Sequence, residues 1–171
     1  MNGYFVFDVI DTRDYDVIIL GGETFRAPER DVDVIEIPGR NGTLTLDNGR
    51  YINVPIKYQG FMWGNFAPDF GAFKAAMLSK LGYLVLRDSY HSDGFRLARF
   101  AEGFEPQQGV QNQSGAFEIL FDCYPQFYLD SGQSYTTVAN NGTISNPTKF
   151  NALPPIQIAF SSPNENGTGT G

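Results

Sequence analysis

Histidine, cysteine and tryptophan occur once each in these 171 residues, and 12 basic residues face 19 acidic ones. Each shortage removes a class of chemistry. A lone Cys123 leaves no intrachain disulfide and no multi-cysteine metal site. It lies in the apolar run Phe117-Glu118-Ile119-Leu120-Phe121-Asp122-Cys123-Tyr124, so it reads as a small buried hydrophobe rather than a reactive thiol. A lone His91 rules out His-rich zinc or iron sites. Ser92 and Asp93 follow it in the turn Ser89-Tyr90-His91-Ser92-Asp93-Gly94. Triad members must converge from separate elements, so His91 reads as a surface or interface residue. A net charge of −7 and a pI near 4.6 argue against a grip on nucleic acid, which needs clustered Lys and Arg. An acidic surface can still line a passage along which DNA slides, because repulsion prevents sticking. No apolar run approaches the ~20 residues needed to cross a bilayer as a helix, and no membrane partner is expected. Met1-Asn2-Gly3-Tyr4 carries no basic region ahead of an apolar stretch, so no signal peptide is expected and assembly should occur in a cytoplasm.

Motifs for catalysis are equally scarce. Asp47-Asn48-Gly49 lacks the further acidic ligands of a calcium loop and reads as a turn. Asp11, Asp14 and Asp16 are a weak cation candidate, and no carboxylate pair stands out for glycoside hydrolysis. Gly21-Gly22 and Gly39-Arg40-Asn41-Gly42 lack the Lys-Ser/Thr and the helix start of a phosphate loop. No catalytic, cofactor or metal site is expected, and the chain does not read as an enzyme.

What is present is sheet-forming material. Hydrophobic residues make up 42% and aromatics 15%, mostly Phe and Tyr, which favour strands. A single domain of this size buries roughly 70% of its unfolded surface. The organising stretch is Val32 to Met62, with three alternating runs around Val34–Ile37, Leu44–Leu46 and Ile52–Ile56. Pro38-Gly39-Arg40-Asn41-Gly42 joins the first two, and Asp47-Asn48-Gly49-Arg50 predicts a type I′ hairpin turn before the third. The stretch therefore reads as a three-stranded meander.

Ahead of it, strands are expected over Gly3–Ile10 and Tyr15–Leu20, then a polar loop from Glu23 to Asp33. Behind it, Pro68 and Asp69 open an amphipathic helix over about 68–81, with Phe70, Phe73, Met77, Leu78 and Leu81 on one face and Gly82 at its end. Further strands are expected over Tyr83–Asp88, Phe95–Ala101, Gly115–Tyr124 (ended by Pro125) and Ser134–Val138. Glu102–Ser114 reads as the tip of a long hairpin. From Ile144 an irregular connector leads to one more strand, Ile156–Phe160, and then to a polar tail expected to be mobile.

Ile37-Pro38-Gly39-Arg40-Asn41-Gly42-Thr43-Leu44 resembles the signature loop of the siphophage distal tail protein (Dit) family. Leu86-Arg87-Asp88-Ser89-Tyr90-His91 leading to Phe95-Arg96-Leu97-Ala98 agrees with it. So does Ile144-Ser145-Asn146-Pro147-Thr148 with Phe150, Ala152 and Pro154-Pro155-Ile156. The resemblance implies a mainly-β fold, a β-sandwich related to tail-tube subunits with one helix on a sheet and an extended hairpin. It implies a ring-forming N-terminal domain over 1–143, and over 144–171 a connector with the first strand of an absent galectin-like domain. It further implies a homohexameric ring in the virion tail tip, between the tail-tube protein and the tail-tip hub, through which DNA passes without specific binding. Pro38, Gly39, Arg40, Asn41 and Gly42 are then the signature turn and a possible subunit interface. Arg40 is expected to brace that turn within the subunit, with pairing to a neighbouring copy as the alternative. The other readings are a tail-tube subunit proper and a carbohydrate-binding β-sandwich module.

Overall fold

The computed structural model describes residues 3–21, 23–104, 106–109, 113–139, 141–146, 148 and 156–158. The chain divides into two compact units, Met1–Tyr135 and Thr136–Gly171. The first is mainly β. Its strands are β1 (Phe5–Phe7), β2 (Ile10–Asp11), β3 (Val17–Gly21), β4 (Arg30–Glu36), β5 (Thr43–Tyr51), β6 (Val54–Trp63), β7 (Leu84–Asp88), β8 (His91–Phe100), β9 (Gln107–Gln108) and β10 (Ser114–Leu129). One α-helix, α1 (Phe66–Leu78), lies among the described residues.

Eight strands form one antiparallel sheet in the order β2-β1-β7-β8-β10-β6-β3, with β9 also on β10. The sheet curls until its ends meet. Phe5 and Phe7 on β1 touch Tyr58 on β6 and Phe121 on β10, at ring separations of 5.2 and 5.0 Å, although β7 and β8 stand between them in the sheet. A seam closes the curl: the Ile19 N–H donates to the Gly3 carbonyl at 2.9 Å. Tyr90, in the β7–β8 turn, adds a clasp. Its hydroxyl donates to the Ile19 carbonyl at 3.0 Å and accepts from the Gly21 N–H at 2.8 Å. Glycine is needed here for space, since a Cβ on Gly21 would lie 2.7 Å from the Tyr90 ring and one on Gly3 would lie 2.3 Å from the Ile19 oxygen.

Strict alternation fills the interior. On β6, Val54, Ile56, Tyr58 and Met62 point in; on β10, Phe117, Ile119, Phe121 and Cys123 do the same. The helix covers an open end with Phe66, Phe70, Phe73 and Met77, whose spacing places them on one face. It starts two residues before the expected point and ends three before it. Leu78 and Leu81 are 55% and 85% exposed, because the backbone is capped at Ser79 before Leu81 can turn inward.

Several expectations are corrected. The meander is a hairpin plus a strand of another sheet: β4 and β5 pair as a separate two-stranded ribbon, while β6 pairs with β3 and β10. Asp47-Asn48-Gly49-Arg50 is no hairpin turn but a bulge inside β5. Arg30 faces Tyr51 and Val32 faces Asp47, so β5 spends extra residues there. Gly49 takes φ of 76° and its N–H donates to Asp47 Oδ1 at 2.8 Å, which bends the strand without reversing it. Burial of Val54 and Ile56 draws the third run into the main core.

The loop expected over Glu23–Asp33 already becomes β4 at Arg30, and His91 begins β8 rather than sitting in the turn. Pro125 does not end β10. It lies where the register with β8 slips between Cys123 and Phe127, past the last pair with β6, so no ladder bond needs its missing N–H. Phe104 is buried within the Glu102–Ser114 stretch, where β9 forms. A 3-10 helix at Asp130–Gln133 follows β10, and residues 134–138 form no strand. Nor do residues 156–158; the rest of that expected strand, most of the 147–155 connector and the tail from 164 lie outside the described residues.

Candidate interaction surface

The β4–β5 ribbon is an arm with almost no core of its own. Every residue of β5 is exposed, as is all of β4 except Asp31. Facing pairs run Asp33–Leu46, Val34–Thr45, Ile35–Leu44 and Glu36–Thr43. Since side chains alternate, Ile35, Leu44 and Leu46 share one face with Asp33, while Val34, Thr43 and Thr45 share the other with Glu36. Ile35, Leu44 and Leu46 are 46%, 50% and 59% exposed. An isolated two-stranded ribbon is marginal in water, which makes this apolar face a candidate contact surface.

Charged groups hold the root of the arm. Arg50 Nε donates to Asp31 Oδ2 at 2.6 Å, Arg30 pairs with Asp47 at 3.5 Å, and the Arg30 guanidinium lies 4.6 Å from the Tyr51 ring centre. The Arg50 guanidinium and then the Asn48 amide hold the Asp31 carboxyl below the usual carboxylate range. At the tip, Pro38, Gly39, Arg40, Asn41 and Gly42 form the β4–β5 turn and all are exposed. The Arg40 N–H donates to the Ile37 carbonyl at 3.2 Å. Its guanidinium finds no carboxylate or carbonyl among the described residues.

A second exposed surface, of mixed polarity, lies on the outside of the β3–β6–β10 sheet. A groove of about 850 Å³ runs there, walled by Glu102, Gly103, Phe104 and Gln107. Leu20, Phe61 and Leu120 line it, with Lys57 and Glu118 paired at 3.1 Å. Beside it Trp63 is 69% exposed.

The remaining candidates are structural. His91 Nδ1 lies 3.0 Å from Asp88 Oδ1, which also accepts from the Tyr90 and His91 N–H groups, while Asp88 Oδ2 accepts from the Tyr58 hydroxyl at 2.6 Å. Burial, then the Asp88 charge, pushes the Tyr58 phenol well above its ordinary range. Ser92 and Asp93 are exposed and take no part. Asp122 Oδ2 gathers Asn53, Tyr83 and Arg99 at 3.0, 2.8 and 2.8 Å. Burial raises its carboxyl, but those hydrogen bonds outweigh it and leave its pKa below the ordinary value. Cys123 is fully buried, which pushes its thiol to about 12. Asp11 is tied to Arg13, and no group of three or more His, Cys, Asp or Glu gathers among the described residues.

Sequence reasoning found the tip of the arm and missed its flank. The signal was there: Val32 and Val34 fall on one face of β4 and Ile35 on the other, so neither face is cleanly polar.

The fold is thus a curled antiparallel sheet, plugged by one helix and carrying a projecting hairpin. Among solved structures it is similar to the Dit protein (gp 19.1) of phage SPP1, described as a paradigm of the hub adsorption apparatus in phages infecting Gram-positive bacteria. The TM-score is 0.55 at 11% identity, over 72% of this chain and 50% of that one. This chain therefore spans about half the length of the SPP1 protein, and at that identity the likeness establishes a Dit-like fold. No family model and no curated protein matches the sequence.

Proposed function

We propose that the chain is a structural, non-catalytic subunit of a phage tail tip. Copies of it form a closed ring, hexameric by analogy with the family it resembles, seated between the tail-tube protein and the tail-tip hub. The observation that carries the reading is a Dit-like fold joined to an arm whose apolar flank is left bare within the chain. Closed rings are built from head-to-tail contacts, and a projecting arm meeting a distant patch is that kind of contact. A net charge of −7 suits a ring lumen through which DNA moves without adhering. The same fold also serves a tail-tube subunit, in which case rings would stack into tubes.

Light scattering across a range of concentrations, paired with negative-stain microscopy, tests this. The expected result is a particle of six times 19.0 kDa with a central hole. Open tubes would select the tail-tube reading. A monomer that fails to join tails lacking this subunit, yet binds glycans, would replace both with a carbohydrate-binding module.

A further inference from the structure

We infer that Asn41, at the tip of the arm, is a site of spontaneous covalent modification. It converts to aspartate and isoaspartate, while the other described Asn-Gly steps are held back by the fold. The chemistry belongs to the chain itself and does not depend on what the chain assembles with. Loss of a proton from the glycine N–H leaves a nitrogen that attacks Cγ of the preceding asparagine. The new N–Cγ bond closes a succinimide ring, the carboxamide nitrogen takes up a proton, and ammonia leaves. Water then opens the ring at one carbonyl to give aspartate, or at the other to give isoaspartate. Water is the only co-reactant, and nothing is oxidised or reduced. Glycine permits the step because it puts no Cβ in the path of attack.

Three such steps lie among the described residues: Asn41–Gly42, Asn48–Gly49 and Asn141–Gly142. All six residues are exposed, so access to water does not separate them. Hydrogen bonding does. The Gly49 N–H donates to Asp47 Oδ1 at 2.8 Å and the Asn48 amide donates to Asp31 Oδ1 at 3.4 Å, so nucleophile and target are both tied. The Gly142 N–H donates to the Ala139 carbonyl at 2.9 Å. Neither the Gly42 N–H nor the Asn41 side chain has a partner among the described residues. A bonded N–H must first give up its acceptor, which slows attack by about tenfold. The tip also leaves room to move. Asn41 and Gly42 lie outside both strands, and even a Cβ at Gly42 would meet no atom within 4 Å. Asn48–Gly49 instead sits within β5, with paired residues on either side. Arg40 is the one charged residue of the Pro38–Gly42 turn. Conversion sets a carboxylate beside it, so the tip passes from cationic to neutral, and isoaspartate lengthens the main chain by one carbon. Aged protein thus presents a tip of different charge and shape from fresh protein.

The test incubates the full chain at mildly alkaline pH, folded or in guanidinium chloride. Digested peptides are then read by mass spectrometry for exchange of NH for O. Unfolded, the three steps should convert at comparable rates. Folded, Asn41 should keep close to its unfolded rate, while Asn48 and Asn141 slow about tenfold. Asn41→Gln should abolish the signal from the tip. Two variants at Asp47 examine the cause, since both remove the charge that pairs with Arg30. Asp47→Ala frees the Gly49 N–H and should speed conversion at Asn48; Asp47→Asn retains an acceptor and should not. Two results overturn the inference: folded Asn41 slowed as much as the others, or folded Asn48 keeping pace with Asn41. Equal rates in the two Asp47 variants would overturn the protection assigned to that hydrogen bond.

Discussion

Individual residues at the seam decide whether the curled sheet can close. The Tyr90 ring occupies the space where side chains at positions 3 and 21 would stand, and its hydroxyl both donates to Ile19 and accepts from Gly21. Gly21→Ala should therefore lower stability by about 1–3 kcal/mol through overpacking. Tyr90→Phe should cost a similar ~1–3 kcal/mol by orphaning two backbone groups. Urea melts of both variants measure this, and unchanged midpoints would mean the seam contributes nothing. Asp122 allows a second test with a defined sign. Its folded pKa lies below the ordinary carboxylate value of about 3.9, so its stabilising share is present above pH 4 and is lost as pH falls through the folded value. Asp122→Asn should melt below the parent at pH 7, with the gap narrowing as pH falls below about 4. A gap independent of pH would assign the cluster's contribution to packing rather than to charge.

Elements show where local sequence speaks and where it does not. The helix was legible because Phe70, Phe73 and Met77 recur at helical spacing and all are buried. Phe73→Ala should cost about 3–5 kcal/mol, whereas Leu81→Ser should change stability by less than about 0.5 kcal/mol, because Leu81 lies past the cap in solvent. Thermal melts of the two side by side check the assignment of the helix end. Most of the long strands were plain from their alternation, though Ser134–Val138 forms none and Arg30–Asp33 was read as loop; their neighbours were not. Nothing near Phe5 announces that β1 will pair with β7, since the pairing is decided by which apolar faces complete the core. Asn48-Gly49 misled for the opposite reason. It has the right residues for a reversal, but the partner strand β4 and the Asp31 carboxylate keep β5 running straight through it. Pro125 likewise reads as a stop, while the slip in register around it removes the only demand it would fail. Of the candidate site, the turn at 38–42 was legible from its glycines. The flank of the arm was not, because alternation reports a buried face without saying whose core buries it.

At the scale of the whole molecule, interior and surface obey different demands. The core is satisfied within one chain, while the arm's apolar flank stays exposed within it. Arg40→Ala should then fold normally, with stability within about 0.5 kcal/mol of the parent, because Arg40 is exposed at the tip of the arm. Assembly measured by light scattering should weaken nonetheless. Equal loss of both would return Arg40 to a role inside the subunit.

The seam also sets a clock. The Tyr4 N–H bonds to the hydroxyl of Ser89, 85 positions further along the chain, and the Tyr90 clasp follows directly. During synthesis at the usual pace, β1 has only β2 beside it for roughly 4–17 s before β7 is made. Throughout that interval the core that buries Phe5 and Phe7 is incomplete. The nascent chain is therefore most vulnerable to premature association before Tyr90 emerges, and pausing translation upstream of that codon should lower the soluble yield more than a pause placed after it.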